Sequence, residues 1–264
     1  MSIRALSLAF GACALFAAFC AAAADAVDVM EKNFMSTKLV GFSGDVTLRL
    51  VDARGDVRVR KMSVRSRLRD NGVDSAVMTR FAQPADIKGT GFLQIENRAA
   101  DDDIWVYLPA LGKTRRLAAN NKRDSFFGTD FAYGDILLPA VEQYRHKLLR
   151  QEKIDGSDCY VIESTPGDAK TRADTGYSRR IIWVDTRSYV ERKVEYYDPR
   201  GTLLKTQTTY DLKQVDPAKN RWLPMRRQMV NHQTRHSTLY QFDRFDLRTD
   251  LLDANFTVRK LEEE

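Results

Sequence analysis

Cysteine and histidine are scarce in this 264-residue chain, with three of each. Cys13 and Cys20 stand in the first apolar stretch, so the rest of the chain keeps Cys159 alone. One thiol closes no internal disulfide. Within Cys159-Tyr160-Val161-Ile162 it reads as a core residue. The histidines are His146, His232 and His236. A four-residue spacing holds a metal on a helix, but His232 and His236 fall between predicted strands, so no metal is expected. H-E-x-x-H, G-x-S-x-G and Walker-type loops are all missing. Gly89-Thr90-Gly91 lacks the following helix that a dinucleotide site needs and reads as a turn. With no convergent acid–base or nucleophile set, no catalytic residues, no cofactor and no enzyme activity are expected.

Long apolar runs are also missing beyond the start of the chain. Met1 to Arg4 is short and basic, Ala5 to Phe19 is apolar and uncharged, and Ala21-Ala22-Ala23-Ala24 supplies small residues before Asp25. This order is that of a cleaved secretory signal peptide, and the apolar part is shorter than the roughly 20 residues of a membrane-spanning helix. Cys20 follows Phe19, where a lipidation signal needs a small residue. Residues 1–24 are therefore read as a leader. Residues 25–264 are read as one soluble, monomeric, exported domain. Export leaves nucleic acid out as a partner. Lys and Arg total 42 against 36 Asp and Glu, a mild excess that fits a mixed soluble surface or anionic headgroups.

What is present is mostly strand grammar. A helix is predicted from Asp25 to Thr37, with Val27, Met30 and Phe34 on one face, Asp25 as cap and Gly41 ending the element. The period then becomes two. Val46, Leu48 and Leu50 alternate with polar residues, and Met62 and Val64 do the same. Asn71-Gly72 marks a hairpin, because both residues tolerate positive φ. Further strands are predicted at 76–81, 92–95, 104–108, 159–164, 180–184, 190–197, 203–210, 225–230 and 237–245. Short turns join them, as in a meander that curls into a sandwich or barrel.

One stretch, 120–144, breaks the alternation. It is expected to form short helices and loops lying against the sheet. Its Phe126, Phe127, Phe131 and Tyr133 are too dense for an exposed loop. They serve either as core over one sheet face or as the lining and cap of an apolar cavity in a curved sheet. Asp101-Asp102-Asp103 lacks calcium-ligand spacing and reads as a solvated turn. Lys113, Arg115, Arg116, Lys122 and Arg123 form the densest basic cluster. It reads either as the wet face of a strand and its loop or as a dock for headgroups or an acidic partner.

Three stretches carry a family likeness: Met78-Thr79-Arg80-Phe81 through Pro84, Lys88-Gly89-Thr90-Gly91-Phe92-Leu93, and Trp105 to Lys113. Arg115-Arg116, Asp124 to Tyr133, Arg180 to Asp185 and Arg221 to Arg227 continue it. Together they resemble the outer membrane lipoprotein-sorting protein family, relatives of the carrier LolA and the receptor LolB. The resemblance implies a mainly β fold with a few helices: an unclosed, strongly curved antiparallel β-barrel with a helical lid. It implies the periplasm of a Gram-negative bacterium as the location, acyl chains in an apolar interior, a neighbouring inner-membrane exporter of RND type and an outer-membrane acceptor. On that footing Met30, Phe34, Phe126, Phe127, Phe131 and Tyr133 are expected to cover the site. Phe92, Trp105 and Tyr107 are expected in its wall, and Arg115 and Arg116 at a headgroup or partner. Lipoprotein, phospholipid, hopanoid-like and sterol-like cargo all stay open. An envelope-stress sensor built on the same fold is the rival reading.

Overall fold

A computed structural model describes residues 25–118, 122–137 and 140–263. The predicted leader lies outside the described residues.

Among the described residues thirteen antiparallel strands form one sheet. They are β1 (Gly41–Val51), β2 (Val57–Leu68), β3 (Ser75–Gln83), β4 (Gly91–Ile95), β5 (Asp103–Leu108), β6 (Lys113–Arg116), β7 (Tyr144–Ile154), β8 (Ser157–Pro166), β9 (Arg179–Asp185), β10 (Glu191–Tyr197), β11 (Leu203–Asp216), β12 (Arg221–Asn231) and β13 (His236–Leu247). Their spatial order is β6-β5-β4-β3-β2-β1-β13-β12-β11-β10-β9-β8-β7. Every consecutive pair is adjacent except β6 and β7, which are the two free edges. The sheet is curved and not closed. The pairing of β1 with β13, where Leu48 lies opposite Tyr240, joins the two halves of the sheet at its middle.

This order dictates where the irregular stretch must go. The chain leaves β6 at one edge and re-enters at β7 on the other, so the connector has to cross the open side. The segment that breaks the period-two pattern is that connector. It carries α2 (Tyr133–Ile136).

Among the described residues four α-helices accompany the sheet. In α1 (Ala26–Ser36) the Asp25 side chain accepts from Val27 N at 3.0 Å, the expected cap. The buried stripe is Ala26, Val29, Met30, Asn33 and Phe34, whereas Val27 is 47% exposed. The helix is thus turned from the predicted face, since the 26/29/30/33/34 spacing makes a wider stripe than 27/30/34. Thr37 ends α1, and Gly41 instead opens β1. A Cβ there would stand 2.7 Å from Arg248 O, so its neighbour strand requires a glycine. The helices α3 (Ala169–Thr175) and α4 (Val258–Glu263) have no counterpart in the pattern reading.

The strands sort their side chains by alternation. Val46, Leu48, Leu50, Met62, Val64, Phe92, Ile104 and Val106 share the concave core with α1 and the crossing segment. On the convex face Ala76, Met78, Leu93, Trp105 and Tyr107 pack with Phe256 and Leu261 of the C-terminal segment. A second convex cluster joins Cys159, Val161, Ile181 and Trp183.

Candidate functional site

The concave face is covered from two directions. Helix α1 packs against β7 and β12, and Asn33 Nδ2 donates to Tyr189 O at 2.8 Å. It fills the half of the trough under β7 to β12. The connector fills the other half with rings. Phe126 stands edge-on to Phe92 at 5.4 Å between centroids, to Phe127 at 4.9 Å and to Tyr133 at 5.5 Å. Phe81 meets Phe127 at 4.7 Å. Edge-to-face pairs of this kind add to the burial of the rings themselves. Phe126 and Phe131 are 2% and 1% exposed.

Polar groups hold the connector in place. Lys205 on β11 donates to Asp135 Oδ2 at 2.6 Å and to Asp130 O at 3.0 Å. Tyr177 OH donates to the other Asp135 oxygen at 2.8 Å. Thr238 on β13 donates to Asp130 Oδ2 at 2.7 Å, while Asp130 N donates to the Thr238 hydroxyl at 3.0 Å. Arg60 on β2 donates to Phe127 O. The Lys205–Asp135 pair is buried on both sides. Burial pushes the Asp130 carboxyl up, against the hydrogen bond from Thr238. Burial, with the Asp124 charge beside it, pushes the Tyr133 phenol up to about 12.

Between the end of α1 and the aromatic cap lies a recess of about 160 Å³. Met62, Val64, Phe92, Phe126, Tyr240 and Phe242 give it an apolar lining. Lys38, Glu96 and Arg227 bring charge to its margins. A cavity of about 150 Å³ accommodates benzene. In this conformation the recess therefore takes about six carbons of a chain, and α1 and the connector's rings occupy the rest of the trough.

The sequence-derived residues divide accordingly. Phe92 and Phe126 line the recess, and Phe127, Phe131 and Tyr133 pack over the same core. Met30 and Phe34 belong to that core through α1. Trp105 and Tyr107 do not join them. They point from β5 to the convex face beneath α4, because Ile104 and Val106 take the inward positions. Arg115 and Arg116 sit on the exposed edge strand β6, away from the recess, with Arg116 paired to Asp103. The acidic turn is not wholly solvated: Asp102 turns in and accepts from Asn97 N at 3.0 Å and from Gln94 at 3.2 Å. Lys38, Glu96, Lys205 and Asp135 carried no sequence signal of their own. The Lys38–Glu96 pair joins residues 58 positions apart and the Lys205–Asp135 pair residues 70 apart.

A curved, unclosed sheet with a covered apolar trough is the construction of a LolA-like binding protein. The likeness extends to solved structures. An outer membrane lipoprotein-sorting protein domain from Vibrio parahaemolyticus is 31% identical, covers 90% of this chain and 98% of its own, and superposes with a TM-score of 0.82. A DUF1329 family protein from Desulfovibrio piger is 27% identical over 89% of this chain and 97% of that one, with a TM-score of 0.81. A LolA superfamily protein from Nitrosomonas europaea is 26% identical over 89% and 98%, with a TM-score of 0.67. A family profile described as "Uncharacterized protein" matches residues 73–263. No curated protein matches. The chain belongs to the outer membrane lipoprotein-sorting protein family of the LolA superfamily.

Proposed function

We propose that the protein is a periplasmic carrier that shields acyl chains of a lipoprotein or lipid on their way between the inner and outer membranes, handing over beside an RND-type exporter and an outer-membrane acceptor. The observation that carries this reading is the apolar recess on the concave face, capped by aromatic rings on a segment tied down by hydrogen bonds. Magnitudes bear on the mechanism. Each buried CH₂ contributes about 0.8 kcal/mol, so a six-carbon length gains about 5 kcal/mol, which is sub-millimolar binding. Secure transport of a full chain needs more burial, and the trough has room for it once the rings of Phe126 and Phe127 swing aside. A lid that closes over itself when empty and over cargo when loaded keeps both states soluble.

Arg115 and Arg116 lie on a free sheet edge rather than at the recess. In this reading they meet a partner protein or a membrane surface instead of the bound headgroup. The test is transfer of a fluorescent acyl lipid between two vesicle populations. The protein is expected to accelerate transfer in proportion to its concentration. If it does not, and carries no lipid when isolated from its host, the carrier reading fails and the sensor reading takes its place.

A further inference from the structure

The recess is polar at the end where α1 hands over to β1. Lys38 Nζ donates to Glu96 Oε2, and both side chains are buried. Ser75 N donates to the same oxygen at 2.7 Å. Lys38 Nζ also stands 4.2 Å from the centroid of the Phe34 ring. Glu96 Oε2 is thus served twice, whereas Glu96 Oε1 is buried and has no hydrogen-bond partner among the described residues. Gln94, two residues earlier, directs its Nε2 to Asp102. A buried acceptor without a donor is rare in folded proteins, because its lost hydration is not replaced. Glu96 lines the recess together with Lys38 and Ser75. Burial raises the Glu96 carboxyl and lowers the Lys38 ammonium, as expected for a pair held out of water.

We propose that the recess binds an amphiphile with a neutral hydrogen-bond donor, a hydroxyl or an amide N–H, next to its chain, and that Glu96 Oε1 accepts that hydrogen bond. The chain lies along Met62, Val64, Phe92 and Phe126. This inference rests on the carrier reading and adds a head-end preference to it. Charge decides between donors. Lys38 already balances Glu96, and Arg227, the third charge at the margin, lies over the Tyr240 ring and is offset by the buried Glu191 carboxylate. At the Glu96 end an ammonium would therefore face the Lys38 cation, and an anionic head would set its oxygens against an acceptor. A neutral donor meets neither penalty. Sites built to hydrogen-bond a ligand group discriminate strongly against analogues that lack it.

The test uses the full mature chain and displacement of a neutral naphthylphenylamine fluorophore. The competitors are dodecanol, dodecyl methyl ether, dodecylammonium and dodecanoate. Dodecanol is expected to displace the probe at a concentration about tenfold lower than the ether, as fits one hydrogen bond to a charged group, and to outcompete both ions. Glu96→Gln alone strands a buried lysine, so the informative variant is K38M/E96Q. It removes both charges together and turns an amide N–H toward the ligand. The alcohol's advantage over the ether should vanish or invert in it. Equal displacement by alcohol and ether in the parent, or an advantage retained by K38M/E96Q, would overturn the inference while leaving the carrier reading standing. Failure of the parent to bind the fluorophore at all would contradict the carrier reading itself.

Discussion

Phe126→Ala separates a lid residue from an ordinary core residue. The ring is 2% exposed and touches Phe92, Phe127 and Tyr133 while lining the recess. Truncating a buried phenylalanine costs about 3–5 kcal/mol. The lower end applies here, since the recess already interrupts packing on one side. With a urea m-value of about 3 kcal/mol/M, the unfolding midpoint should fall by about 1 M. The same truncation removes a six-carbon ring from the wall and opens room for about as many chain carbons. At about 0.8 kcal/mol per CH₂ the gain for a twelve-carbon ligand has a ceiling of about 5 kcal/mol. A tenfold tightening needs less than a third of that. Urea melts with and without dodecanol, together with direct binding, measure both effects on one sample. The expected result is a protein that is weaker when empty and restored more by ligand than the parent is. A loss of stability with unchanged or weaker ligand binding would refute the reasoning and make Phe126 plain core.

Lys205→Met leaves the buried Asp135 carboxylate without its cation and should cost about 3–5 kcal/mol. Hydrogen exchange should speed up within 124–137 and not in α1, and a uniform change would deny Lys205 its role as a tether. Leu261 is the fully buried residue of α4, with Cδ1 only 2.6 Å from where a Gly91 Cβ would lie on β4. Leu261→Ala should cost about 2–5 kcal/mol and leave acyl binding unchanged. Altered binding would make the convex cluster part of the site. The Tyr133 and Tyr240 phenols are raised to about 12, chiefly by burial, and Tyr177 and Tyr196 lie well above the ordinary value for the same cause. Because the folded values exceed the unfolded ones, this stability is fully present below about pH 10 and lost as the pH rises through the folded values. Ultraviolet titration of the native protein should leave these four phenols protonated at about pH 11, and ionisation of all ten tyrosines near pH 10 would contradict the packing.

Strands with one wet face were plain in the sequence. Val46, Leu48 and Leu50 sit inside as alternation requires. The Asn71-Gly72 hairpin joins β2 to β3, although only Gly72 has positive φ and Asn71 instead accepts from Val73 N and Asp74 N through its side chain. The edges were harder to read: for β6 the wet face of a strand was one of two readings, and β7 had no counterpart in the pattern. Lys113-Thr114-Arg115-Arg116 in β6 and the charged β7 bury little, and charge on an edge is how a sheet discourages further pairing. One signal was available and passed over. Ile104 to Leu108 and Ile181 to Val184 are apolar at successive positions, which means cover on both faces. Read that way, Trp105 and Tyr107 belong to a second cluster rather than to the cavity wall. The crossing path of the Phe126 to Tyr133 segment follows from strand order. Strand order depends on β1 pairing with β13, a contact between chain ends that no local pattern encodes. The Lys38–Glu96 and Lys205–Asp135 pairs were invisible for the same reason.

The most direct test of the central claim is photo-crosslinking with a saturated acyl chain that carries a diazirine near its tail, followed by peptide mapping. Saturable labelling should fall on Met62, Val64, Phe92, Phe126 and Tyr240, which face the trough. Labelling confined to Trp105, Tyr107 and the α4 surface, or no saturable labelling, would contradict a chain-binding concave face.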